Sequence, residues 1–142
     1  MTLRLLAPLA LPLAMALAAC APADPAAEAA RTAAAIAAAP EATVTGPGQR
    51  CIPRSQIRQT VVRSDQVIDF EMNGGKVYRN TLRQSCPGLA FDRAITYETS
   101  IDQLCTQQIV YALQNIGGVP RRGAGCSLGE FVPVEYVRKA EG

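Results

Sequence analysis

Residues 66–82 read QVIDFEMNGGKVYRNTL, and this stretch decides the fold class. Ile68, Phe70 and Met72 alternate with Val67, Asp69 and Glu71, the period of two that marks a strand with one apolar face. Asn73-Gly74-Gly75 then supplies residues that accept positive φ, and Val77–Leu82 resumes an extended pattern, so the segment is a β-hairpin. Its register depends on the turn. A two-residue turn and a three-residue loop with a bulge present opposite faces of the returning strand, so either Val77 or Tyr78 faces Phe70.

Working outward, IPRSQIRQTVVR (52–63) has Pro53 where one short helical turn would start, Ile52 and Ile57 as core anchors, and a strand over 59–63. CPGL (86–89) centres Pro87-Gly88 as a type II turn does, and AITYET (94–99) is a short strand. Ser100-x-x-Gln103 matches a capping box and predicts a helical turn running through Leu104. QQIVYALQ (107–114) is rich in strand formers, and GGVPRRGAG (117–125) reads as a flexible hairpin connection. CSLGEFVPV (126–134) is the last strand, with Pro133 assigning it to a sheet edge. The expected fold is mainly β: a small antiparallel sheet curled as a barrel or sandwich, with one or two short helical turns.

At the amino terminus, Arg4 precedes Leu5–Leu17, which contains only leucine, alanine, methionine and two prolines. That is a basic region followed by an apolar region of signal-peptide length. Leu5 to Ala23 is also nearly long enough for a membrane span, but Pro8 and Pro12 each remove a backbone donor that an isolated span needs. The run closes on Leu-Ala-Ala-Cys at 17–20, which resembles a bacterial lipobox. The resemblance implies cleavage after residue 19 and a diacylglycerol on the Cys20 thiol. One acyl chain binds a bilayer only marginally, whereas the two or three of a bacterial lipoprotein hold it durably. Ala21, rather than aspartate, follows the cysteine and implies the outer membrane by the sorting rule of enteric bacteria.

Residues 20–50 form an Ala/Pro-rich linker, with thirteen alanines between Ala21 and Gly48 and prolines at 22, 25, 40 and 47. PAAEAARTAAAIAAAP (25–40) has high helix propensity, with Pro25 in a permitted first turn and Pro40 as a stop. Beyond Ile36 it has no apolar face, so it reads as a fraying helical spacer outside the fold, with a specific docking helix as the alternative. The globular domain is expected over 51–137, with 138–142 as a tail.

Within residues 51–142, eleven Lys/Arg against nine Asp/Glu leave a net charge of +2, with the signs alternating along the chain. A nucleic-acid partner, which would need one strongly basic face, is excluded. Cys51, Cys86, Cys105 and Cys126 remain once Cys20 is acylated, and an even number of thiols in an oxidising compartment implies two disulfides. Three pairings are open; the favoured one joins Cys86 to Cys105 and Cys51 to Cys126, tying the start of the domain to its last strand. Zinc is not expected, since the cysteines lack close pairs and the chain has no histidine, and no cofactor is implied. The absent histidine also removes the usual activator of a nucleophilic cysteine or serine.

Two groups could carry chemistry. Asp69 and Glu71, two apart on one strand face, could act as paired carboxylates, although a solvated outer face predicts the same pattern. Arg121 and Arg122, among the glycines of 117–125, could meet an anion or an acidic partner. Asn80, in the mixed polar and aromatic stretch Tyr78-Arg79-Asn80, reads as a buried, satisfied amide that fixes packing, with a place in a pocket as the alternative.

VYRNTL, CPGL, TYETS followed by QLC, and CSLGEF, in that order and spacing, resemble a family of small proteobacterial cell-envelope lipoproteins classed only as a domain of unknown function. The resemblance covers residues 51–134 and implies a periplasm-facing, membrane-anchored domain without bringing an activity, cofactor or catalytic residue. Gln107-Gln108 stands where that resemblance implies an acid. The expected function is a non-catalytic accessory or interaction module with an envelope protein partner. The alternative is a small histidine-free envelope enzyme that works through carboxylates.

Overall fold

The computed structural model describes residues 24–138; the leader, Cys20 and residues 139–142 lie outside that range, and with them the expectations placed there. The Asp24 carboxylate caps helix α1 (Pro25–Ala37), Oδ1 accepting from the Ala26 N–H at 2.9 Å. There follow β1 (Ala42–Val44), β2 (Cys51–Pro53), a 3-10 turn (Arg54–Gln56), β3 (Ile57–Val62), β4 (Val67–Met72), β5 (Val77–Thr81), α2 (Leu89–Asp92), β6 (Ile95–Thr96), β7 (Gln103–Cys105), β8 (Ile109–Ile116), β9 (Val119–Ser127) and β10 (Phe131–Tyr136). The strands form three antiparallel sheets: five strands in the order β1-β10-β5-β4-β3, the pair β2-β7, and β6-β8-β9. The fold is mainly β, as the periodicity predicts, and carries two disulfides, as the count of four domain cysteines implies.

The β4–β5 hairpin sets the main sheet. Met72 N–H donates to the Lys76 carbonyl at 2.8 Å, so Asn73–Gly75 is a three-residue loop and Tyr78 lies opposite Phe70. Ile68, Phe70 and Met72 therefore enter one core with Tyr78 and Phe131 from the same sheet and Leu82 just past β5. Ile52 and Leu104 from the two-stranded sheet, and Val110 and Ala112 from the three-stranded one, close it from the other side. Phe70 and Phe131 meet edge to face, ring centroids 5.4 Å apart. Full burial of such a side chain contributes on the order of 1.5–3 kcal/mol.

The other face of the main sheet is covered too, which the alternation did not predict. Ala35 and Ala39 pack on the fully buried Val67, and the Gln66 amide donates to Thr32 Oγ1 and to the Leu82 carbonyl, both at 3.0 Å. Past the helix, β1 pairs with β10 from Ala42 opposite Tyr136 to Val44 opposite Val134. The boundary expected at residue 51 is thus corrected: α1 and β1 belong to the folded body, because small alanines let a helix lie close on the sheet. Pro133 is corrected with it, since β1 covers β10 and β10 is an interior strand. N–H and C=O of one strand residue point the same way, and the Pro133 carbonyl accepts from Thr45 N–H at 2.9 Å, so the missing donor falls where β1 ends.

Three further expectations change. The helical turn at 100–104 is absent; Gln103–Cys105 is β7, and Leu104 is buried opposite Ile52. Thr99 rather than Ser100 organises the approach, its hydroxyl accepting from Ile101 N–H at 3.3 Å. The flexible connection at 117–125 shrinks to Gly117-Gly118, whose φ values of 62° and 83° make a two-residue hairpin turn, and the rest is β9. Finally, the disulfides join Cys51 to Cys105 and Cys86 to Cys126, not the favoured pairs. Cys51 lies directly opposite Cys105 on β2 and β7, and Cys86, just after β5, reaches Cys126 near the end of β9.

Candidate functional site

The densest polar cluster sits on the outer face of the main sheet, where Asp69 projects from the middle of β4 and is completely buried. Arg79, directly opposite on β5, donates from Nε to Oδ1 at 2.8 Å and from Nη2 to Oδ2 at 3.1 Å. Arg63, just past β3, donates from Nε to Oδ2 at 2.8 Å. Tyr136 at the end of β10 donates its hydroxyl to Oδ2 at 3.0 Å, and accepts from Arg63 Nη2 at 2.7 Å. The Arg63 guanidinium lies 5.2 Å from the centroid of the Tyr136 ring. Three side chains, from β5, β10 and the end of β3, thus converge on one β4 carboxylate.

Burial alone would push the Asp69 carboxyl up. Hydrogen bonds from Arg79 and Arg63, the Arg79 charge and the Tyr136 hydroxyl outweigh it and hold the group below the ordinary carboxylate range. Burial likewise raises the Tyr136 phenol. The cluster extends outward: Arg58 Nη2 pairs with Glu71 at 2.6 Å, and Arg79 Nη2 also donates to the Pro40 carbonyl at 3.0 Å, linking the sheet to the segment between α1 and β1. The reading of Asp69 and Glu71 as a solvated outer face is therefore corrected for Asp69, whose charge is compensated by two guanidinia rather than by water. A hollow lined by Ile36, Ala39, Pro40, Ala42 and Val137 reaches Arg79 but not the carboxylate, and both hydrogen-bonding ends of Arg79 named above are already committed.

Asn80 performs the role expected of it. It is fully buried, donates from Nδ2 to the Gly129 carbonyl and accepts on Oδ1 from the Gly129 N–H, both at 2.9 Å. Gly129 is required there by space: a Cβ at that position would stand 2.1 Å from the Thr81 carbonyl oxygen.

Arg121 and Arg122 do not converge. They are consecutive residues of β9, opposite Gln114 and Leu113, and successive strand side chains point to opposite faces. Arg122 pairs with Glu98 and lies 5.2 Å from the Tyr111 ring centroid, and Arg121 is exposed. Gln108 Oε1 accepts from the Cys105 N–H at 2.6 Å, so an amide here fills an acceptor role that a carboxylate could also fill. Among the described residues no group of three or more Cys, Asp or Glu is placed to hold a metal ion. What sequence reasoning missed was the partnership of Arg63, Asp69, Arg79 and Tyr136. The three-residue loop puts Asp69 opposite Arg79, so that pair was readable from the hairpin, whereas Arg63 and Tyr136 arrive from the end of β3 and from β10, whose pairing the hairpin does not fix. Compared with models of protein families, with curated proteins and with solved structures, the chain matches none.

Proposed function

We propose that the protein is a membrane-tethered lipoprotein of the bacterial envelope, facing the periplasm and holding partners there rather than turning over a substrate. The observation that carries the non-catalytic part is the occupancy of Asp69. A general acid or base must reach a substrate proton, and this carboxylate is wholly buried with both oxygens engaged by Arg63, Arg79 and Tyr136. Its pKa lies below the ordinary range, so near neutral pH it is a poor proton acceptor as well as an inaccessible one.

The tether is supported by the leader and by Leu-Ala-Ala-Cys at 17–20. Two disulfides fit a chain that matures in an oxidising compartment. The resemblance to small proteobacterial envelope lipoproteins points the same way, and Ala21 favours the outer membrane. The enzyme alternative, with Asp69 as a working acid, loses its best carboxylate to the ion cluster.

Replacing Cys20 with serine in cells should abolish incorporation of labelled palmitate into the protein. Absence of label from the protein with Cys20 intact, or label that persists in the variant, would remove the lipid anchor from this reading. A turnover found by substrate profiling that disappears in a folded Asp69→Asn variant would remove its non-catalytic part.

A further inference from the structure

We propose that the face of the domain around Phe91 rests on the lipid bilayer, with the Phe91 ring seated at the boundary between headgroups and acyl chains. This deepens the reading above and rests on it, since it takes Cys20 as the point of attachment. The docking of α1 sets the length of the tether. A free linker of about 30 residues would have an r.m.s. reach of about 30 Å. The structure instead fastens α1 to the sheet through Thr32, Ala35 and Ala39. The slack between Cys20 and the folded body is then the five steps from Cys20 to Pro25, at most about 18 Å when fully extended. So short a leash keeps the start of α1, and the surface beside it, within about 18 Å of the lipid anchor.

That surface is identifiable. Glu28 and Arg31, in the first half of α1, share a depression with Gln84 and Ser85, and Ser85 also borders the adjoining one with Pro87 and Phe91. Phe91 is 87% exposed, more than any other large apolar side chain described. Its position is held firmly: Leu89, two residues earlier, is fully buried, and Asp92, the next residue, accepts from the Asn115 N–H at 3.1 Å. A rigidly presented aromatic ring next to a short lipid tether is suited to the interfacial zone, where amphipathic elements insert about 5–10 Å. The charged residues lining the two depressions are Arg31 against Glu28 and Asp65, with no basic excess to draw anionic headgroups. The contact is therefore apolar in origin and persists in salt concentrated enough to screen headgroup charge.

The chain has no tryptophan, so Phe91→Trp introduces a single reporter at an exposed site. Asn73→Trp, on the β4–β5 loop at the end of β4 away from Val67, provides the comparison. Each full-length variant is purified from membranes, its acylation is read by intact mass, and it is reconstituted into phosphatidylethanolamine/phosphatidylglycerol vesicles containing brominated lipid. The expected result is a blue-shifted indole emission from the Phe91→Trp protein that the brominated chains quench at low and at high salt, with the emission of the Asn73→Trp protein unshifted and unquenched. Acylated Phe91→Trp protein whose emission stays unquenched, or is quenched no more than that of Asn73→Trp, overturns the inference and leaves the lipoprotein reading standing. A mass without acyl chains overturns both.

Discussion

Arg79 and Asp69 face each other across β5 and β4 and share two hydrogen bonds, with Asp69 buried and Arg79 nearly so. Because Arg79 also donates to the Pro40 carbonyl, the pair connects the centre of the main sheet to the segment leading into its edge strand. A buried carboxylate held this way acts as a strut.

Removing one member of a buried ionic cluster leaves the others uncompensated, which costs about 3–5 kcal/mol. Asp69→Asn should therefore lower the stability to denaturant by roughly that amount while the fold is retained. The combined Arg63→Met, Asp69→Leu, Arg79→Met variant should lose less, because no charge is then left unpaired. Urea unfolding followed by circular dichroism checks both. A triple variant less stable than the single one would mean that the cluster contributes a net attraction.

The same carboxylate makes stability sensitive to acid. Its folded-state pKa is depressed, so the unfolded chain binds the proton more readily and protonation favours unfolding. This contribution is fully present above the unfolded value of about 4 and is lost as pH falls through the lower folded value. The urea midpoint should drop steeply in that acid window, and Asp69→Asn should flatten the drop. A slope unchanged by the substitution would separate Asp69 from the acid response.

Gly129→Ala would place a methyl group against the Thr81 backbone and force apart the residues that Asn80 joins. Asn80→Ala leaves both backbone groups of Gly129 without their side-chain partner, at about 1–3 kcal/mol for each group left unsatisfied. Thermal unfolding should show both variants destabilised. Combined, they should cost less than the sum, because they disrupt one contact.

Peptide mapping without reduction should recover Cys51 linked to Cys105 and Cys86 linked to Cys126. In the chain-entropy model, loops of these lengths give each bridge about 4 kcal/mol, so removal of either pair should be clearly visible in the unfolding midpoint. Peptides joining Cys86 to Cys105 would contradict the strand pairing as well as the disulfides.

The β4–β5 hairpin was legible because its period of two and its glycines are local signals. So was the burial of Asn80, an amide in an otherwise core-forming strand. The docking of α1 was not, since Ala35 and Ala39 are chemically indistinguishable from the alanines around them. The burial of Asp69 was hidden because it needs three other segments in register at once: Arg63 and Arg79 are only 6 and 10 residues away, but Tyr136 is 67 away on β10. β9 was masked by Gly123 and Gly125, which weaken strand propensity but make room here: a Cβ on Gly125 would stand 3.1 Å from the Tyr111 ring. The disulfides depended on the β2–β7 pairing, a contact between residues 54 apart that no local pattern announces.

Intact mass spectrometry of detergent-extracted protein, alkylated without reduction, reads the state of Cys20 directly. The predicted species begins at Cys20, carries a diacylglycerol, and takes up no alkylating reagent on its four remaining cysteines. A chain with an unmodified amino terminus, or one still carrying residues 1–19, would contradict it.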